Sequence, residues 1–151
     1  MNTSRRQWFS HTLTAGTIAL APGKTRASPE EMAIAMRNAY GSRTINTGRV
    51  NLKLPALAEN GNSVRMQVTV DSPMSETDHV VAVQVFAEAN PLPDIVRFEL
   101  GPLSGSAEIE TRIRVAAEQH ITAVAEMSDG SLWSGSAHII VTEAACLDAL
   151  I

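Results

Sequence analysis

The most reactive side chain in the sequence belongs to Cys146, the only cysteine among the 151 residues. A single cysteine excludes an intrachain disulfide framework and a thiolate zinc cluster. Thiolates are nucleophiles and take part in thiol–disulfide exchange, so a thiol beyond the last predicted strand is a candidate covalent attachment point. The neighbouring Glu143 and Asp148 disfavour the thiolate, so activation would have to come from a partner. A cysteine packed as a small apolar residue, or an interchain disulfide, is the alternative interpretation.

Other residues that could do chemistry lack the partners it requires. The sequence has no nucleophile elbow, phosphate-binding loop or His-Glu-x-x-His pattern. None of His79, His120 and His138 has a second ligand at metal-binding spacing, so each is interpreted as a strand or surface residue. Glu108 and Glu110 alternate with apolar residues, which predicts a solvated strand face.

A blue-copper site requires His and Cys ligands with an axial Met, and a β-sandwich that contains these residue types could hold one. Residues 147–151, which follow the cysteine, include neither His nor Met, so no copper site is predicted.

Tyr40 and Trp133 stand too far from other aromatic residues to predict a stacking platform for nucleic acid. We therefore predict no catalytic residue, no bound cofactor and no metal.

The charge of the sequence is unevenly distributed. Residues 1–27 contain four basic side chains and no acid, which leaves eight basic and sixteen acidic side chains in the remainder. The paired Arg5 and Arg6 precede a weakly apolar stretch, and Thr25-Arg26-Ala27 offers small residues for cleavage before Ser28. This pattern resembles a twin-arginine export signal, which predicts a mature protein in the periplasm. An ordinary secretory signal, or a basic amphipathic start of the chain, is the alternative. The acidic remainder excludes a strongly basic nucleic-acid binder, and no apolar run approaches the roughly 20 residues of a membrane span.

The elements that must position the cysteine are a short helix and a series of strands. Ser28, Pro29 and Glu31 form a helix-starting pattern, apolar residues recur at helical spacing, and Gly41 can end the helix. Beyond Gly48 the apolar period changes to two, with turn residues between the segments. We predict seven strands, at about residues 50–54, 64–70, 80–87, 96–100, 107–115, 121–127 and 132–141. This arrangement predicts an all-β protein, an immunoglobulin-like antiparallel β-sandwich of about seven strands with a short N-terminal helix.

Five segments of the sandwich region carry a family resemblance: Glu59-Asn60-Gly61 and residues 70–74, 86–91, 107–114 and 124–131. Together they resemble the SoxY family of sulfur-carrier proteins. The resemblance implies an immunoglobulin-like sandwich that pairs with a second sandwich protein, SoxZ. It also implies that Cys146 carries a sulfur substrate as a covalent adduct while Sox-type processing enzymes act on it. In this family the carrier itself is not an enzyme.

The predicted organisation is a signal peptide at 1–27, a sandwich domain with its helix at 28–142 and a cysteine-bearing tail at 143–151. The tail departs from the family pattern, because Gly-Gly-Cys-Gly-Gly is replaced by Ala144-Ala145-Cys146-Leu147-Asp148. Glycines make a thin, flexible arm, whereas alanines stiffen it and a leucine adds bulk beside the thiol. Two functions are therefore expected as alternatives. One is a periplasmic sulfur carrier of thiosulfate oxidation, and the other is a non-catalytic assembly protein that binds a SoxZ-like partner without carrying sulfur.

Overall fold

A computed structural model of the protein describes residues 27–143, which comprise one helix and nine strands. Helix α1 spans Pro29–Tyr40 and begins with the predicted capping box, in which the Glu31 amide donates to Ser28 Oγ and the Ser28 amide donates to Glu31 Oε2. Gly41 ends the helix with a positive φ of 66°. Within these residues no helix is long and apolar enough to cross a membrane.

The strands follow α1 in an unbroken series, with a single short 3-10 turn at Pro102–Ser104. Their bounds are β1 Ile45–Thr47, β2 Val50–Lys53, β3 Leu57–Asn60, β4 Val64–Val70, β5 Val80–Ala87, β6 Asp94–Glu99, β7 Glu108–Ile113, β8 Gln119–Met127 and β9 Leu132–Glu143.

Two sheets form the predicted β-sandwich. The larger has the order β6-β5-β8-β9, and the smaller has the order β2-β4-β7, with antiparallel pairing throughout both series. The fold class is confirmed, and the strand count of about seven becomes nine because β1 and β3 were not predicted. Both of these short strands pair in parallel with β9, at its beginning and at its end respectively.

The main core lies between the two sheets and is built from the alternating residues that predicted the strands. Val64, Met66, Val68 and Val70 of β4 are all buried, while Arg65 between them is exposed. Residues of β5, β8 and β9 cover them from the other sheet; they are Val83, Val85, Ile121, Ala123, Ala125 and Ile139. This core fixes which faces of β8 and β9 point inward and therefore where the chain leaves the sandwich.

Helix α1 covers the opposite face of the larger sheet. Tyr40 packs with Phe86, Val124 and Leu132, and the apolar residues of the helix close over this second cluster. The Tyr40 and Phe86 rings meet edge to face with centroids 6.2 Å apart. The helix is therefore a layer of the fold rather than an appendage.

Candidate functional site

The candidate attachment residue, Cys146, lies outside the described residues, as do the predicted signal peptide up to Arg26 and most of the predicted tail. The described part of the chain ends at Glu143, three residues before the cysteine. What the structure defines is the base from which the tail departs, together with the surfaces around it.

The base of the tail is bonded to two separate parts of the sandwich. Thr142 Oγ1 donates to the Glu59 carbonyl at 2.9 Å, and the Gly61 amide donates to the Glu143 carbonyl at 2.8 Å. The Gly61 carbonyl in turn accepts from the Val115 amide at 2.8 Å. Since β3 bonds β9 from one side and Gly61 links it to the segment after β7, the tail starts from a fixed position at one end of the sandwich.

A buried polar pair occupies the same end. The Asn90 amide nitrogen donates to the Arg114 carbonyl at 2.9 Å, and its side-chain oxygen accepts from the Ala116 amide and from Gln119. Gln119 Oε1 accepts from the Ala89 amide at 2.8 Å. These bonds hold the loop before β6 against the segment after β7. Neither residue was predicted as part of the site; Asn90 was noted only within segment 86–91, which resembles the SoxY family, and Gln119 carried no sequence signal.

An open groove runs along one side of the sandwich between the two edge strands β6 and β7. It has a volume of about 510 Å³. Its lining is largely apolar, and Arg112 and Arg114 lie at its rim. The apolar lining residues are Leu92, Ile95, Val96, Phe98 and Ile113. The groove reaches the end of the sandwich from which the tail departs, because Arg114 directly precedes Val115.

The structure brings together two histidines that the sequence treated as separate. His120 and His138 are cross-strand partners on β8 and β9, and their ring centroids are 4.9 Å apart. Each also approaches its own carboxylate at 3.3 Å, Glu88 for His120 and Glu118 for His138. Both rings are exposed, which confirms their prediction as surface residues. Among residues 27–143 no three His, Cys, Asp or Glu side chains form a group that could hold a metal ion.

The predicted charged strand face is confirmed. Glu110 forms an ion pair with Arg65 at 2.8 Å across β7 and β4, and Glu108 accepts a hydrogen bond from Gln67. Ser104 Oγ accepts from the Gly101 amide, so this hydroxyl stabilises the short turn.

The Tyr40 phenol has a strongly raised pKa within residues 27–143. Its hydroxyl donates to Gln84 Oε1 at 3.3 Å, and Gln84 donates in turn to Asp94. Burial raises the pKa of Tyr40 to about 12, with the nearby Arg97 opposing the shift. The phenol is therefore protonated at neutral pH, and its part in the hydrogen-bond chain is to fix α1 on the sheet.

Comparison with known proteins identifies the family. A family model described as "Sulfur oxidation protein SoxY" matches residues 36–146. The chain belongs to the SoxY family. The matched region runs from the helix through all nine strands and includes Cys146, so the family resemblance found in the sequence is confirmed.

Solved structures support the family and the fold. The sulfur carrier protein SoxY from Chlorobium limicola f thiosulfatophilum superposes with a TM-score of 0.64 at 25% identity, covering 76% of this chain and 99% of that one. A superoxide reductase (neelaredoxin) from Ignicoccus hospitalis superposes with a TM-score of 0.57 at 11% identity, covering 64% of this chain and 94% of that one. The second likeness shows a shared sandwich fold. A comparison with curated proteins finds no match.

Proposed function

We propose that this SoxY-family protein is a covalent sulfur carrier in thiosulfate oxidation, with Cys146 as the attachment site. The observation that carries the proposal is the family match, which extends beyond the sandwich and ends at Cys146. The superposed Chlorobium protein is itself described as a sulfur carrier. Since Cys146 is the only cysteine of the sequence, no other thiol competes for this role.

The geometry at the base of the tail supports a carrier function. Thr142 and Glu143 are bonded to β3 and to Gly61, so the tail departs from a fixed position. A fixed base with a reactive residue a few positions beyond it suits a protein whose thiol is processed by other proteins.

We further propose that the protein is exported by the twin-arginine route to the periplasm and pairs there with a SoxZ-like sandwich protein. The support is the Arg5-Arg6 pair, the small residues before Ser28 and the family itself. Replacing Arg5 and Arg6 with lysine should leave the precursor in the cytoplasm, because the receptor reads the arginine pair. Export of the lysine variant at the normal rate would contradict this route.

A second candidate function is an assembly protein that binds the same partner without carrying sulfur. The observation that favours it is the replacement of the glycine arm by Ala144, Ala145 and Leu147 around the cysteine. These side chains broaden and stiffen the segment that must enter the processing enzymes. The change lies outside the sandwich, whose last strand ends at Glu143.

Intact-mass spectrometry distinguishes the two functions. The protein, with its SoxZ-like partner, is incubated with thiosulfate and the cognate loading enzyme. That enzyme joins the Cys146 sulfur to the sulfane sulfur of thiosulfate and accepts the two electrons released. Carriage predicts a mass increase that is absent from Cys146→Ser. An unchanged mass together with intact partner binding would refute carriage and support the assembly function.

A variant with a Gly-Gly-Cys-Gly-Gly tail is the matched positive control for the same experiment. If the alanines and Leu147 hinder entry, this variant should load faster than the natural chain. Equal loading rates would show that the altered arm is no handicap. Failure of both chains to load would count against carriage through Cys146.

A further inference from the structure

We infer that the groove between β6 and β7 is a docking site for the protein's own tail, which binds through Leu147, Leu150 and Ile151. The inference concerns where the tail lies, and it does not depend on what Cys146 carries. Three features of the described residues support it: the position of the groove, the chemistry of its lining and the charge at its rim.

The position of the groove places it within reach of the tail. A chain of hydrogen bonds leads from the Glu143 carbonyl through Gly61 to Val115, which directly follows the rim residue Arg114. Asn90, which also lines the groove, bonds the Arg114 carbonyl at 2.9 Å. Eight residues follow Glu143 in the sequence, and eight extended residues span about 26–29 Å. The tail is therefore long enough to enter the groove from the end of β9.

The lining of the groove matches the apolar residues of the tail. Leu92 is 73% exposed, and Ile95, Val96 and Phe98 are only partly buried although they contact the main core. Burying apolar surface of this kind is favourable in proportion to the area removed from water. The tail supplies three large aliphatic side chains in five residues, with Leu147 separated from the other two by Asp148 and Ala149.

The charge at the rim is complementary to the tail. Arg112 donates to Ser63, and within residues 27–143 neither Arg112 nor Arg114 forms an ion pair with a carboxylate. Asp94, the acidic lining residue, is already bonded to Gln84. Asp148 lies between the aliphatic residues of the tail, so docking would bring a carboxylate to a rim that carries two guanidinium groups.

A second apolar surface near the base of the tail provides the alternative against which the groove is tested. Leu57 and Ile140 are cross-strand partners on β3 and β9, and both are exposed. Ile140 is only three residues before Glu143. This pair is small and has no arginine among its strand neighbours, since β9 continues from Ile140 through Val141 and Thr142 to Glu143. Both properties favour the groove.

Amide NMR spectra of the full protein test the inference. In one variant, Leu150→Asp/Ile151→Asp, two of the three apolar anchors are lost. The control, Ala145→Asp/Ala149→Asp, adds the same charge to the tail and keeps all three anchors. We expect the anchor variant to shift the amide resonances of Leu92, Val96 and Phe98, and the control to leave them in place. Shifts centred on Leu57 and Ile140, or no shifts within the sandwich, would overturn the inference.

The reciprocal experiment changes the groove and observes the tail. Leu92→Asp places a charge in the groove, whereas Leu103→Asp places one at a fully exposed leucine outside its lining. We expect the amides of residues 147–151 to shift in the first variant and to keep their positions in the second. Equal effects of the two variants would overturn the inference. Shifts that depend on protein concentration would also overturn it, because they would assign the groove to the tail of a second copy.

Discussion

Replacing Gly135 with alanine should lower the free energy of unfolding by about 2–3 kcal/mol. Gly135 lies in the middle of β9, between the part that pairs with β1 and the part that pairs with β3. Strand β2 crosses β9 there on its way between those two strands. A Cβ atom at position 135 would overlap the Val50 carbonyl oxygen and lie 3.0 Å from the Val50 carbonyl carbon.

The magnitude follows from what the added methyl group meets. Extra carbon in a well-packed interior costs about 1–3 kcal/mol when neighbouring atoms can adjust. Here the obstacle is the backbone of β2 rather than a flexible side chain, so the upper part of that range applies. The overlap between the added Cβ and the Val50 backbone can be removed only if β2 and β9 separate. That separation would weaken the pairing of β1 and β3 with β9 on either side.

Urea unfolding, followed by circular dichroism, measures the change. Gly101→Ala is the matched control, since an added Cβ there has no atom within 4 Å and its φ of −160° suits any residue. The control should stay within about 0.5 kcal/mol of the natural protein. A Gly135→Ala protein equally close to the natural value would refute the argument that β2 packs on β9 through this glycine.

Three further outcomes are expected. Tyr40→Phe should weaken the dependence of stability on alkaline pH. Burial raises the pKa of Tyr40 to about 12 from an ordinary value of 10.0, so the natural protein should lose stability as the pH rises from about 10 through about 12. Unfolding measured at several pH values should show a smaller loss for the variant over that range. Asn90→Ala should destabilise the protein by about 1–3 kcal/mol or more in urea unfolding, because the Ala116 amide and Gln119 lose a buried acceptor; an unchanged midpoint would mean that water replaces the side chain. Glu110→Gln should leave the midpoint of thermal unfolding unchanged, since its ion pair with Arg65 is exposed to solvent; a clear decrease would show that the charged strand face contributes to stability.

The helix and the long strands could be predicted because their signals are local. The capping box at Ser28 and the strict alternation through β4 identify each element within a few residues. Strands β1 and β3 could not be predicted in the same way. They are three and four residues long, and their hydrogen bonds come from β9, more than 80 residues later in the sequence.

The surroundings of the candidate site depend on register, which the sequence does not state. His120 and His138 become neighbours only because β8 and β9 pair in a particular alignment. The bonds of Asn90 to Arg114 and Gln119 likewise join residues that lie 24 and 29 positions apart in the sequence. Cys146, by contrast, could be selected from composition alone, because reactivity is a property of the residue type and the sequence offers one thiol.

The parallel pairing of β1 and β3 with β9 has a mechanical consequence for any force applied at the end of β9. Strand β9 is bonded along one edge to β8 and along the other to β1 and β3. A pull on the tail acts along β9, so it loads these hydrogen bonds together in shear instead of opening them one after another. A force applied beyond Glu143 would therefore move the whole sandwich as a rigid body before it could separate β9 from its neighbouring strands.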